Sequence, residues 1–241
     1  MRLSRIYTKQ SLIVGSETQL DDSVAHYVSK VLRMRSGEQI ALFNERDGEF
    51  LATLQAVEKK RLTVLIEQAV HNESESPLTI HLAMGISRGE RMDYAIQKAT
   101  ELGVNCIIPL LTERCEVKIK ADRVDNRMSH WERVAISACE QSGRCAIPTI
   151  IPPQPLEQWL AQEHTGECFV LDHRAENSLP SDRTPNSVTF LIGPEGGLSE
   201  TEVTCANKFG FSSLRLGARV LRTETAPVVA ISLAQHLWGD F

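Results

Sequence analysis

Two short segments near the C-terminus hold the residues best suited to chemistry: 191–199, LIGPEGGLS, and 216–226, LGARVLRTETA. In each, an apolar strand-like run passes through a turn of glycine or other small residues into a helix start. Chains built this way bind ligands at the carboxyl ends of neighbouring parallel strands. In the first segment Pro194 fixes one backbone dihedral, while Gly196 and Gly197 permit left-handed angles and close approach of a ligand. The loop carries an acid, Glu195, and lacks the lysine of a phosphate-gripping loop. Neither a dinucleotide fingerprint nor a Walker-type loop occurs anywhere in the chain. That chemistry suits a ligand with positive charge and hydroxyls better than a triphosphate. Alone, the segment also reads as a structural tight turn.

The second segment sets two arginines, two threonines and Glu224 against a long apolar helix. Thr223 or Thr225 is expected to cap that helix, with Pro227 in its first turn. A purely structural start would use the same cap. One helix and one strand separate the two segments, which points to a shared role.

The elements that must position these loops alternate. Strands are predicted over 78–86, 104–110, 169–171, 188–192 and 214–217, and helices over 90–102, 125–142, 156–162, 199–209 and 223–238. Gly103 is placed to stop the first of these helices, and Ser199 with Glu202 forms a capping box for the fourth. Such alternation implies an α/β domain with a parallel sheet covered on both faces.

The N-terminal third reads differently. Runs at 39–43, 50–57 and 62–68 predict a small β-rich unit, with 44–48 as a hairpin loop. A single helix is expected from a cap at Asp21 or Asp22 to a stop at Gly37, with Val24, Tyr27, Val28, Val31 and Leu32 as its apolar stripe. The polar stretch 71–77 has linker composition, so the domains are set at 1–72 and 73–241.

Composition narrows the classes. The 241 residues are 42% hydrophobic and 24% charged, ordinary for a soluble globular protein. No apolar run approaches a membrane span and no signal-peptide core is present, so a cytoplasmic location is expected. Six scattered cysteines lack the spacing of a disulfide framework or a zinc site, and the histidines form no metal pattern; no metal is expected. A net charge of −5 excludes indiscriminate coating of nucleic acid. Basic clusters at Arg2/Arg5, Lys30/Arg33/Arg35 and Lys59-Lys60-Arg61 are either solvated surface or a phosphate-contacting face.

The two loops, together with 87–104 (SRGERMDYAIQKATELGV), resemble the RsmE family, RNA methyltransferases of the SPOUT superfamily. Supporting matches are Thr112-Glu113-Arg114-Cys115, 138–144 (ACEQSGR), Arg5-Ile6-Tyr7 and Val31-Leu32-Arg33, so the likeness covers essentially the whole chain. Two positions depart from the pattern: Pro227 follows Ala226 where helix-friendly residues are expected, and Glu116 stands where the family often has glycine.

The resemblance implies a SPOUT α/β-knot, with a deep C-terminal trefoil knot, preceded by a PUA-like β-barrel that helps hold RNA. It implies a homodimer that uses S-adenosylmethionine to methylate N3 of one uridine of 16S ribosomal RNA, numbered 1498 in the family's reference numbering, on the small ribosomal subunit. By the same analogy the cofactor residues are Leu171, His173, Gly193, Pro194, Glu195, Gly196, Gly197, Leu216, Gly217, Val220, Leu221 and Thr223. Glu195 and the loop carbonyls would serve the polar parts; Leu171, Leu216 and Leu221 would form an apolar adenine slot.

Methyl transfer to a protonated ring nitrogen needs a proton acceptor and a counter to developing negative charge. Glu224 is the candidate base, an ion pair with a nearby arginine being its other reading; Arg222 or Arg88 is the candidate for charge. Arg5, Lys30, Arg33, Arg35, Arg114, Lys118 and Arg144 are candidate RNA contacts. The alternatives are a SPOUT enzyme acting on another RNA, such as transfer RNA, and a non-catalytic RNA-binding protein.

Overall fold

The computed structural model describes residues 3–58, 61–118 and 120–241; Arg2, Lys59 and Lys60 of the basic clusters lie outside the described residues. The chain divides into two compact units. The first comprises 1–75 together with 139–147, and the second 76–138 together with 148–241.

Among the described residues the first unit holds a five-stranded sheet. In chain order its elements are β1 (Arg5–Tyr7), β2 (Glu17–Leu20), the short helix α1 (Asp22–His26), β3 (Gln39–Asn44), β4 (Gly48–Val57) and β5 (Leu62–Val70). The spatial order is β1-β3-β4-β5-β2, with β1 parallel to β3 and the other pairs antiparallel. Alternation puts Leu42, Leu54, Val64 and Ile66 inward, against Ala25 and Val28. Each such fully buried aliphatic side chain stabilises the fold by roughly 1.5–3 kcal/mol. The β3–β4 hairpin closes as expected: Asn44 Oδ1 accepts from the Asp47 amide at 2.6 Å.

The predicted helix is shorter than its apolar pattern. After α1 the chain makes a π-helical turn, Tyr27–Val31, and ends at Leu32, well before Gly37. Widening the turn moves Tyr27 and Val31 out of the stripe, leaving them 39% and 61% exposed. Asp21 occupies the cap position, but its side chain makes no capping bond. Strands β1 and β2 were not predicted: three and four residues are too few for alternation to register.

The segment 139–147 joins this unit through buried polar contacts. Arg5 pairs with Glu49 at 3.0 Å and donates to the carbonyls of Cys139 at 2.6 Å and Arg144 at 3.1 Å. Arg144 pairs with Glu75 at 2.9 Å, and Asn72 Nδ2 donates to Gly143 O at 2.9 Å. Arg5 and Arg144 are therefore not phosphate contacts. Their side chains are only 8% and 3% exposed and already bound to carboxylates. Burial pushes the Cys139 thiol up to about 12, as suits an inert core cysteine.

The second unit runs β6 (Thr79–Gly85), α2 (Gly89–Glu101), β7 (Cys106–Leu111), α3 (Val124–Ser142), β8 (Thr149–Ile150), β9 (Gln154–Pro155), α4 (Leu156–Leu160), β10 (Glu167–Leu171), β11 (Ser187–Ile192), α5 (Glu200–Lys208), β12 (Ser212–Leu214) and α6 (Thr225–Trp238). The last turn of α3 groups with the first unit. Among the described residues the sheet order is β12-β10-β11-β6-β7-β8, all parallel, with β9 also on β7.

Helices cover both faces, as the alternation implied. On one side Ala83, Ile108, Leu110, Val170 and Leu191 pack with Trp159 and Leu160 of α4 and Val203 and Ala206 of α5. On the other, Phe169 stacks on Phe190 and on Trp238 of α6. Gly103, at φ +92°, ends α2. The fully buried Gln235 of α6 donates to Leu102 O at 2.8 Å and accepts from Ser76 Oγ at 2.7 Å, fixing α6 beside the end of α2.

Candidate functional site

The turns that follow β10, β11 and β12 leave neighbouring strands at the same end of the sheet, and together they enclose a cavity of about 400 Å³. That size suits a small organic ligand. The two segments singled out by sequence thus meet in space. Leu171, His173, the whole loop 193–197, Leu216, Val220, Leu221, Arg222, Thr223 and Glu224 line the cavity, as does Arg114. Gly217 and Arg88 do not belong to the lining. Gly217 makes the bend at φ +82°, and the Arg88 side chain is paired with Glu116, the residue that departs from the family pattern. Sequence reasoning missed Arg174 and Arg215. Their position just past a parallel strand end was the available signal.

The glycine loop is held from three sides. Thr223 Oγ1 donates to Gly193 O at 2.9 Å and lies 3.2 Å from Ser87 Oγ. Arg114 Nη1 donates to Gly196 O at 3.1 Å and, more weakly, to Leu198 O at 3.4 Å. Pro194 O takes the Gly197 amide at 2.8 Å. Glu195 Oε1 accepts from the Arg88 amide at 2.9 Å and from Arg91 at 3.3 Å. Burial alone would raise the Glu195 carboxyl, but the Arg88 amide, its own amide and Arg91 outweigh burial and hold it below the ordinary range. The carbonyls of Gly193, Pro194 and Gly196 and Oε1 of Glu195, among the groups expected to serve a ligand's polar parts, thus also accept bonds within the protein.

Local sterics explain the glycines. A Cβ at Gly85, the end of β6, would lie 2.4 Å from Pro194 Cδ and 2.6 Å from its nitrogen. Gly197 adopts φ +68°, but Gly196 is not left-handed. It lacks a side chain for another reason: a Cβ there would stand 3.0 Å from Arg114 Cβ.

The helix starts differ from one another. Ser199 and Glu202 form the expected capping box, with Ser199 N donating to Glu202 Oε2 at 2.8 Å. At α6 neither threonine caps. Glu224 occupies the cap position without a side-chain cap bond, and the amides of Thr225 and Ala226 turn back to Arg222 O. Strand β12 stops at Leu214, three residues short of expectation, which frees the chain from 215 onward to wrap the cavity. Pro227 sits in the first turn, where no intrahelical donor is required. Glu224 Oε2 is buried and has no hydrogen-bond partner, which disfavours the ion-pair reading. An unpaired acceptor on a residue that lines the cavity calls for an explanation, and a catalytic role is one.

Asp172 opens the turn after β10. Burial would raise its carboxyl, but Arg174, bonded at 3.0 Å, keeps it below the usual range. Of the candidate RNA contacts, Lys30, Arg33, Arg35, Arg114 and Lys118 are exposed. Arg114 also bonds the loop through one of its guanidinium nitrogens. Among the described residues no three His, Cys, Asp or Glu side chains gather as metal ligands, and no helix is long and apolar enough to cross a membrane.

Comparison with known proteins agrees with this geometry. A family model of the RNA methyltransferase domain matches residues 74–235, and one of the RNA methyltransferase PUA domain matches 20–67. The ribosomal RNA small subunit methyltransferase E of Buchnera aphidicola from Schizaphis graminum is 36% identical, covering 99% of this chain and 98% of its own. A Legionella pneumophila protein solved with bound cofactor S-adenosylmethionine is 41% identical, with a TM-score of 0.95 over the whole of both chains. A ribosomal RNA small subunit methyltransferase E from Neisseria gonorrhoeae, bound to S-adenosylmethionine, is 38% identical, with a TM-score of 0.93 over the whole of both chains. With most of its length matched by the RNA methyltransferase domain model and nearly all of it by such relatives, the chain belongs to the RsmE family of RNA methyltransferases.

Proposed function

We propose that this protein is an S-adenosylmethionine-dependent methyltransferase that modifies N3 of one uridine in the 16S RNA of the small ribosomal subunit. The observation that carries the reading is the meeting of loop 193–197 and segment 216–226 around one cavity. The cavity fits the cofactor chemically: Leu171, Leu216 and Leu221 offer an apolar wall for an adenine, and polar groups ring it.

When bound, S-adenosylmethionine supplies an electrophilic methyl group. The chain's own task is to hold the two reactants in line and to receive the uracil N3 proton. Glu224 is the proposed base, because the residue lines the cavity and its buried Oε2 has no hydrogen-bond partner. Arg222, exposed at the cavity, is proposed to counter negative charge developing on the pyrimidine. Lys30, Arg33 and Arg35 are proposed to contact RNA phosphates. A cytoplasmic homodimer with a knotted C-terminal chain completes the reading; exposed Tyr94 of α2 and Leu233 and Leu237 of the adjacent α6 support the dimer.

Calorimetric titration with S-adenosylmethionine should give saturable one-site heat. Small subunits from a strain deleted for this gene should then gain one methyl group, mapped as N3-methyluridine in 16S RNA. Cofactor binding without label on small subunits would refute the RNA assignment; no cofactor binding would refute the enzyme.

A further inference from the structure

Each residue of the segment 113–116 bonds a different element around the site. The Glu113 amide donates to Glu202 Oε1 at 2.7 Å, and the other oxygen of that carboxylate holds Ser199 N, so the segment is tied to the start of α5. Arg114 takes the carbonyls of Gly196 and Leu198. Cys115 Sγ donates to Ile86 O at 3.2 Å, just beyond β6. Glu116 pairs with Arg88, whose amide holds Glu195.

From this arrangement we propose that Arg114 is a positioning residue for the cofactor loop rather than an RNA contact. The proposal rests on the methyltransferase reading above. One guanidinium nitrogen, Nη1, donates to both carbonyls, two residues apart, and so holds the backbone between them. Gly196 eases the fit, because a Cβ there would stand 3.0 Å from Arg114 Cβ and force the stem to give by a few tenths of an ångström. With Thr223 on Gly193 and the Gly197 amide on Pro194, Arg114 ties down the distal end of a loop whose proximal end is already fixed. Glu202 serves the same end by anchoring the segment that carries Arg114.

The test separates the two roles of the arginine. Arg114→Ala should weaken S-adenosylmethionine binding about tenfold or more in calorimetry, as expected for loss of hydrogen bonds from a charged donor. Affinity of the cofactor-free protein for 16S RNA should stay within about twofold and keep its salt dependence. Hydrogen–deuterium exchange should speed up at 193–198 and stay native elsewhere. Arg114→Lys should recover only part of the cofactor affinity, since its ammonium sits on a more flexible stem of different shape. If Arg114→Ala does not fold, Arg114→Lys carries the test: reduced cofactor affinity with native exchange outside the loop supports the role. Unchanged cofactor affinity in the folded variant, or a loss confined to RNA binding, overturns it. Failure of the wild-type protein to bind S-adenosylmethionine would instead refute the underlying reading.

Discussion

Arginines in the two units do opposite work. In the first, Arg5 and Arg144 are buried against Glu49 and Glu75, and Arg5 also holds backbone carbonyls of a returning segment. In the second, Arg222 lines an open cavity and is exposed, while Arg114 at the same cavity holds loop carbonyls. Each of these residues belongs to a motif of the family resemblance, and residue type alone made all of them candidates for contact with substrate. The partner decides: a carboxylate at 3 Å inside a core leaves no charge for RNA, whereas a cavity wall leaves it available.

The sharpest way to break this contrast is to remove the proposed base. Glu224→Gln should lower kcat about 10²–10⁴-fold with cofactor affinity unchanged, read by single-turnover methyl transfer and calorimetry. A variant of near-normal rate would remove Glu224 from the chemistry. On the structural side, Arg5→Ala should destabilise the protein by about 3–5 kcal/mol, because Glu49 keeps a buried charge without its ion partner. Urea unfolding followed by circular dichroism checks this, and a loss under 1 kcal/mol would show the pair to be dispensable.

Gly85→Ala tests the wall between β6 and the loop. Its Cβ falls within 2.6 Å of the Pro194 backbone nitrogen, so an overpacking cost of about 1–3 kcal/mol should appear, with weaker cofactor binding. Unaltered affinity would mean the loop adapts freely. Arg33→Ala should weaken RNA binding and reduce the slope of log K against log salt by about one, whereas Arg144→Ala, measured where it is folded, should leave the slope intact. Equal slopes for both variants would erase the distinction between the two kinds of arginine.

The smallest effect concerns Glu195. Because its carboxyl is held low in the folded protein, its contribution is complete above the ordinary carboxylate range and is lost as pH falls through the folded value. Acid unfolding should therefore be shallower for Glu195→Gln than for the wild type at low pH, with the two curves parallel near neutrality. Identical profiles throughout would show that the Arg88 and Arg91 contacts carry no linkage.

Periodicity exposed the α/β unit because its helices and strands are long enough to repeat their pattern. Residues 92, 96 and 99 bury one side of α2, and Ser199 with Glu202 marks the start of α5 by local chemistry alone. Where local pattern misled, tertiary context had the stronger pull. The stripe 24–32 reads as one continuous helix, yet a π-turn reroutes it. Thr223 looks like a cap, yet its hydroxyl serves Gly193 thirty residues away.

By itself, then, the sequence determined the alternating architecture, the two loops and the family, since these follow from residue spacing along the chain. Only the tertiary structure decided which side chains face the cavity, that 139–147 returns to the first unit, and which charges are already paired. Those outcomes depend on distances between residues tens of positions apart, and no one-dimensional pattern encodes a partner that arrives only on folding.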